Sequence, residues 1–258
     1  MSQNFDNKVK LAWSTSLIDD ETRDSILYLH NFRNTSYHKG IRHEGILHSV
    51  ALFYFETSCE ILEKFTPMFW SSSSRDKISY RARKYIGNGD FLNSKEVFEK
   101  AYKRLKEVVL SIDSNLVGDL HCDMQKTIDS VEHDIQFLFD EGGKSLTRKE
   151  LIVYIQAWGF SFTEEAKRYV AENGNNEVSE RDVIDWLVLN YNWPIKSDPI
   201  PSWEKRMASL KTETNRHLAL KRYCDFMRQT EKIRSQISEA SYQLDSLIQQ
   251  EIDCARGK

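Results

Sequence analysis

The chain is predicted to be all-α, and three observations carry that expectation. Its 258 residues contain only ten Gly and four Pro beside 40% hydrophobic and 29% charged residues, a mixture that favours long helices over many short strands. Apolar residues recur at three-four spacing through most of the length, the period of a helix with one buried face. The last stretch, Ser202 to Ala255, has neither Gly nor Pro.

Taken in order, Asp19-Asp20 before Glu21 supplies an N-cap and an acidic first turn, so a helix is expected from there to about Gly40. A second helix, Glu44 to Phe65, stops before Pro67, and its Leu47, Val50, Tyr54, Ile61 and Phe65 have core spacing. After a polar joint at Ser71 to Ser74, Arg75 to Ile86 reads as a short basic helix ending at Gly87-Asn88-Gly89. Tyr80 and Tyr85 interleave with its basic residues, a pairing that can stack bases and hold an RNA backbone or pack a helix onto a core. From Ser94, Leu105, Val109, Ile112 and Leu116, then Ile128, Val131, Ile135 and Leu138, predict two long helices with a break at Gly118.

Phe139 to Leu151 and Val170 to Val183 resemble a degenerate pair of EF-hands, with Leu146 and Val178 pairing across the loops. The first loop is one residue short, and the second has Ala171 at the first ligand position and Asp182 where a bidentate Glu is wanted, so calcium binding is not expected. Gly143-Lys144-Ser145 fails as a phosphate loop because Leu138 stands where Gly is required. Pro194, Pro199 and Pro201 mark a joint, after which an unbroken helix would reach roughly 80 Å, longer than a compact domain, so it is expected either to break or to reach a partner. Ile233, Ile237, Ala240, Leu244, Leu247 and Ile252 keep an approximate heptad there, too short to specify a coiled coil against a hairpin. The expected organisation is a helical core over 1–138, the EF-hand-like pair over 139–194 and a C-terminal helical segment over 195–258.

Chemistry concentrates at Arg33-Asn34-Thr35-Ser36-Tyr37-His38. At about 100° per residue, with Arg33 at zero, Tyr37 falls near 40°, His30 near 60°, Asn34 near 100° and His38 near 140°. Guanidinium, amide and imidazoles then share one sector, where Arg can grip phosphate in a fork and His can give or take a proton. Lys39 and Arg42 add positive charge, and His30 to His48 carries three basic residues against Glu44, with four His besides. By contrast Asp119 to Glu141 carries seven carboxylates against Lys126, so charge is polarised along a chain whose net is −3. One face is thus expected to suit RNA, and the acidic face or the C-terminal helix a protein partner.

The run Leu29-His30-Asn31-Phe32-Arg33-Asn34-Thr35-Ser36-Tyr37-His38-Lys39-Gly40, followed by Ile41-Arg42 and an apolar helix through Tyr54-Phe55 to Cys59, resembles the HEPN superfamily of prokaryotic ribonucleases over roughly residues 20 to 65. The resemblance implies an all-helical homodimer whose two R-x4-6-H motifs meet at one composite site, in proteins many of which look like toxins or antiviral effectors. On it, Arg33, His38 and Asn34 are the expected catalytic residues and His30, Tyr37, Lys39 and Arg42 the expected substrate contacts. The rival expectations are a non-catalytic module that holds RNA, a nucleotide or a protein partner through the same helices without cleaving it, and a structural subunit of a defence or toxin complex.

Metal and cofactor are not expected. His121 and His133 lie twelve residues apart, about 18 Å on a straight helix, and cannot share an ion. Cys59, Cys122, Cys224 and Cys254 form no C-x-x-C pair, which signals neither zinc nor a disulfide framework and fits a reducing cytosol. Met1 to Asp6 lacks the basic and apolar regions of a signal peptide, and no apolar run is long enough to span a bilayer.

Overall fold

In a computed structural model, which describes residues 2–39, 44–64, 80–87, 94–110, 112, 115–142, 146–173 and 180–256, every regular element is a helix. In chain order they are α1 (Ser2–Ser14), α2 (Asp20–Lys39), α3 (Glu44–Lys64), α4 (Tyr80–Ile86), α5 (Ser94–Leu110) and α6 (Leu116–Glu141). These are followed by α7 (Arg148–Ser161), α8 (Glu164–Asn173), α9 (Glu180–Asn190), α10 (Ile200–Lys211) and α11 (Arg216–Ala255). The chain is all-α with a long C-terminal helix, and no described helix is long and apolar enough to cross a membrane.

Helix starts explain most boundaries, because the first N–H groups of a helix need acceptors outside the ladder. Asp19 accepts the Thr22 N–H at 2.8 Å and starts α2 where the sequence places it. Thr147 and Glu150 form a reciprocal capping box at α7. The expected break at Gly118 falls instead before Leu116: Asn115 accepts the Gly118 N–H at 3.0 Å, and Gly118 lies in the first turn of α6. The expected C-terminal helix is likewise divided. Asn215 accepts from His217 N–H at 2.9 Å and Leu218 N–H at 3.3 Å, while Glu213 takes the N–H groups of Thr214 and Asn215, so α10 and α11 are separate. Helix α1 had no counterpart in the sequence reading; it packs on α2 and buries Val9.

Compaction divides the chain differently from the three sequence segments. One unit comprises 1–123 with 211–224, the other 124–210 with 225–258, and the division falls within both α6 and α11. In the first unit α2 packs on α1 and α3, and α5 on α3 and α4. The buried residues of α3 are Ile46, Ser49, Val50, Phe53, Thr57 and Cys59: of the expected row Val50 is buried and Ile61 half-buried, Leu47 and Tyr54 are exposed, and Phe65 lies outside the described residues. Leu105 and Ile112 are also exposed, whereas Leu116 is buried.

In the second unit α7 packs on α8 and α9. Ile128, Val131, Ile135 and Leu138 of α6 are buried as their spacing predicts. Ala157, Ala166, Val170, Ile184, Leu187 and Trp193 form a further apolar cluster ringed by aromatic side chains. Of the C-terminal heptad only Ile233 and Ile237 are buried, and Leu247 is exposed. Arg148 ties this unit together: its guanidinium grips Glu132 of α6 and reaches Asp198 at 2.8 Å, whose other oxygen accepts the first N–H of α10 at 3.0 Å. These two carboxylates hold the guanidinium proton more firmly than in a free arginine.

Losing an Asn cap typically costs about 1 kcal/mol. Asn215→Ala is therefore expected to lower the urea midpoint by a corresponding amount and Asn215→Asp to retain most of the stability, measured by circular dichroism.

Candidate functional site

Helix α2 is built to hold one face inward. Thr22, Ser25 and Leu29 are all but fully buried at three-four spacing, and Arg33 lies four residues further on, at the surface. The backbone of every residue from His30 to Lys39 is in this one helix. Arg33 is exposed and makes no hydrogen bond or ion pair among the described residues. The side chains of Tyr37, His38 and Lys39, and the whole of Arg42, lie outside the described residues.

Two of the expected groups are engaged with each other. Asn34 Nδ2 lies 3.1 Å from His30 Nε2, an i,i+4 pair on α2. The His30 ring stacks on Phe5 of α1, with centroids 4.2 Å apart and planes 25° apart. His30 thus anchors α1 to α2, and the amide of Asn34 orients that imidazole. The shared sector read from the helical wheel is divided in the structure: His30 and Asn34 form a half-buried pair, and Arg33 stands exposed beside it.

A second constellation had no signal in the sequence. Ser25 Oγ lies 2.8 Å from His217 Nδ1, and His217 Nε2 lies 3.5 Å from Glu60 Oε2. The edge of Phe53 closes one side of the imidazole at 5.0 Å. Serine, histidine and carboxylate in series evoke nucleophilic catalysis, yet the order relative to solvent is inverted. Ser25 is 1% exposed, and Glu60 is the most open of the three. A substrate cannot reach the hydroxyl, so the chain pins α2 and α3 to the start of α11. The hydrogen bond from His217 holds the Glu60 carboxyl below its usual range. Arg216 with Glu56, and Lys106 with Glu63 at 2.9 Å, extend the ionic face of α3. Residues 192 apart in sequence leave no local pattern from which Ser25 and His217 could be paired.

The acidic run expected to face a basic partner is largely engaged within the units. Asp119 accepts from Ser49, Asp123 from Tyr223, Asp134 from Ser241, and Glu132 takes Arg148. The loop residues 143–145 and 174–179, and with them Val178, lie outside the described residues. Among the described residues no three His, Cys, Asp or Glu side chains are grouped to hold a metal. Comparison with protein-family models, with curated proteins and with solved structures yields no match to this chain.

The cap of the motif helix gives a pH signature. Its bonds from Thr22, with help from Lys64 at 3.1 Å, hold the Asp19 carboxyl down at about 2, from an ordinary 3.8. A depressed carboxyl stabilises the fold fully above its unfolded pKa and loses that contribution as pH falls through the folded value. Asn also caps helices well. The stability difference between wild type and Asp19→Asn, from urea unfolding, is therefore expected to be largest above pH 4 and to shrink as pH falls toward 2.

Proposed function

We propose that the protein is a HEPN-type endoribonuclease that cleaves RNA without a metal, acting as a toxin or antiviral-defence effector. The observation that supports this most is the exposed Arg33, which has no hydrogen-bond or ion-pair partner among the described residues, on the same continuous helix as His38. In the reaction, the RNA 2′-hydroxyl attacks the adjacent phosphorus while one His38 removes its proton. A second His38, from the other protomer of a homodimer, protonates the leaving 5′-oxygen. The products are a 2′,3′-cyclic phosphate and a 5′-hydroxyl. Arg33 neutralises the charge that grows on the non-bridging oxygens. Tyr37, Lys39 and Arg42 serve the substrate, while Asn34 bonds His30 and supports the packing of α1 on α2 rather than the chemistry.

One observation favours a second reading, a module that holds RNA without cutting it. His30 and Asn34 are committed to Phe5 and to each other, which removes two of the polar groups that a catalytic sector would use. The two readings part at the product. In excess EDTA the purified protein is expected to cleave single-stranded RNA to 2′,3′-cyclic ends and to leave DNA intact, because DNA lacks the 2′-hydroxyl. Loss of one positioned acid or base costs about 10²- to 10⁴-fold, so His38→Ala and Arg33→Ala are expected to be nearly inactive while still folded. RNA binding without cleavage, weakened by Arg33→Ala, would establish the module instead, and equal cleavage by wild type and both variants would remove the assignment.

A further inference from the structure

The second unit holds a cavity of about 620 Å³ between α7, the 191–195 turn and α11, within the size range of small-molecule sites. One wall is aromatic: Phe160 and Tyr191 lie 4.8 Å apart, Tyr191 and Trp193 4.6 Å apart, with Phe160 and Tyr191 only half-buried. This wall is fixed before any ligand arrives. Trp193 Nε1 donates to Leu187 O at 3.0 Å, and the buried Gln156 amide donates to Ile195 O at 2.7 Å and accepts its N–H at 3.4 Å.

The opposite wall is polar. Gln229, Lys232 and Gln236 share the cavity-lining face of α11 beside the buried Ile233, and none of the three makes a hydrogen bond or ion pair among the described residues. Gly159 keeps the space open: a Cβ there would stand 3.2 Å from Gln236 Nε2. Glycine inside a helix costs about 1 kcal/mol relative to alanine, a cost consistent with a need for room at that point. Gln236 and Phe160 both line the cavity. Thr163 and Glu165, further along the chain, line the same cavity.

A preformed aromatic wall facing idle amides and one ammonium is suited to a planar ring with a polar edge and one negative group. A glutamine amide offers a donor and an acceptor side by side, which matches the adjacent acceptor and donor of adenine. Aromatic faces hold bases by stacking. Lys232 can meet a phosphate, and Glu165 at the border disfavours more than one. We propose that this cavity binds an adenine mononucleotide, with the base against Phe160 and Tyr191, its edge met by Gln236 and its phosphate by Lys232. All of these residues belong to the second unit, and the proposal is independent of the chemistry of α2.

Calorimetry on the full chain tests it with AMP, adenosine, ATP and ribose 5-phosphate. AMP and adenosine are expected to bind, AMP the tighter, with ATP no tighter than AMP and ribose 5-phosphate silent. Lys232 is exposed and Gln236 half-buried, so their variants are expected to fold, as circular dichroism will verify. Lys232→Ala is expected to bring AMP to the affinity of adenosine, and Gln236→Leu to weaken both by about tenfold, the worth of one hydrogen bond to a buried ligand edge. Silence with both AMP and adenosine, equal binding of ribose 5-phosphate, ATP tighter than AMP, or folded variants that bind as wild type does would overturn the proposal.

Discussion

The architecture depends on where helix is made to stop. Few glycines and prolines interrupt this chain, so the decisive constraint is the set of N–H groups left open at each helix start. Asp19, Asn115, Thr147, Thr163, Asp198 and Asn215 each accept from one or more of these groups. Asn215 divides what would otherwise be one C-terminal rod into α10 and α11 and places His217 two residues into the new helix. From there His217 reaches Ser25 and Glu60, and Arg216 reaches Glu56. Asp198 combines a cap with a partnership to Arg148, so the start of α10 and the start of α7 are fixed by one guanidinium.

These caps also explain what could be read in advance. Asp19-Asp20 announces a helix start because donor and acceptor lie within four residues; the equally local Thr147-x-x-Glu150 box lies inside the stretch that resembles an EF-hand, and that resemblance gives it no role as a cap. Asn115 and Asn215 are equally local, but each stands in an apolar pattern that continues across it, so periodicity alone leaves the position of the break open. On α3 Val50 is buried as its spacing predicts, but Leu47 and Tyr54 are as apolar as the buried Ile46 and Phe53 beside them, and only tertiary packing decides between such neighbours. The α6 row was legible because polar residues separate it cleanly.

The same distinction applies to the candidate sites. A helix carrying Arg33 and His38 follows from a local run, and so does an i,i+4 contact between His30 and Asn34. That Phe5 would cover His30 does not, since α1 is brought there by the fold. The Ser25, His217 and Glu60 chain, and the cavity between α7 and α11, join residues far apart in sequence. Their members are ordinary helix formers or caps when read singly. Inverted exposure makes the first a structural pin, and a preformed aromatic wall with idle polar partners makes the second a binding site.

The proposed chemistry asks for an acid and a base on opposite sides of phosphorus, whereas one chain offers a single His38 in the motif. Sharing between two protomers is therefore the central claim. Its most direct test is a mixed dimer of Arg33→Ala with His38→Ala, tagged differently and purified through both tags. The account predicts a mass near twice 30.3 kDa by light scattering and RNA cleavage that differs from that of either mutant homodimer. A strictly monomeric protein that still cleaves RNA would contradict it.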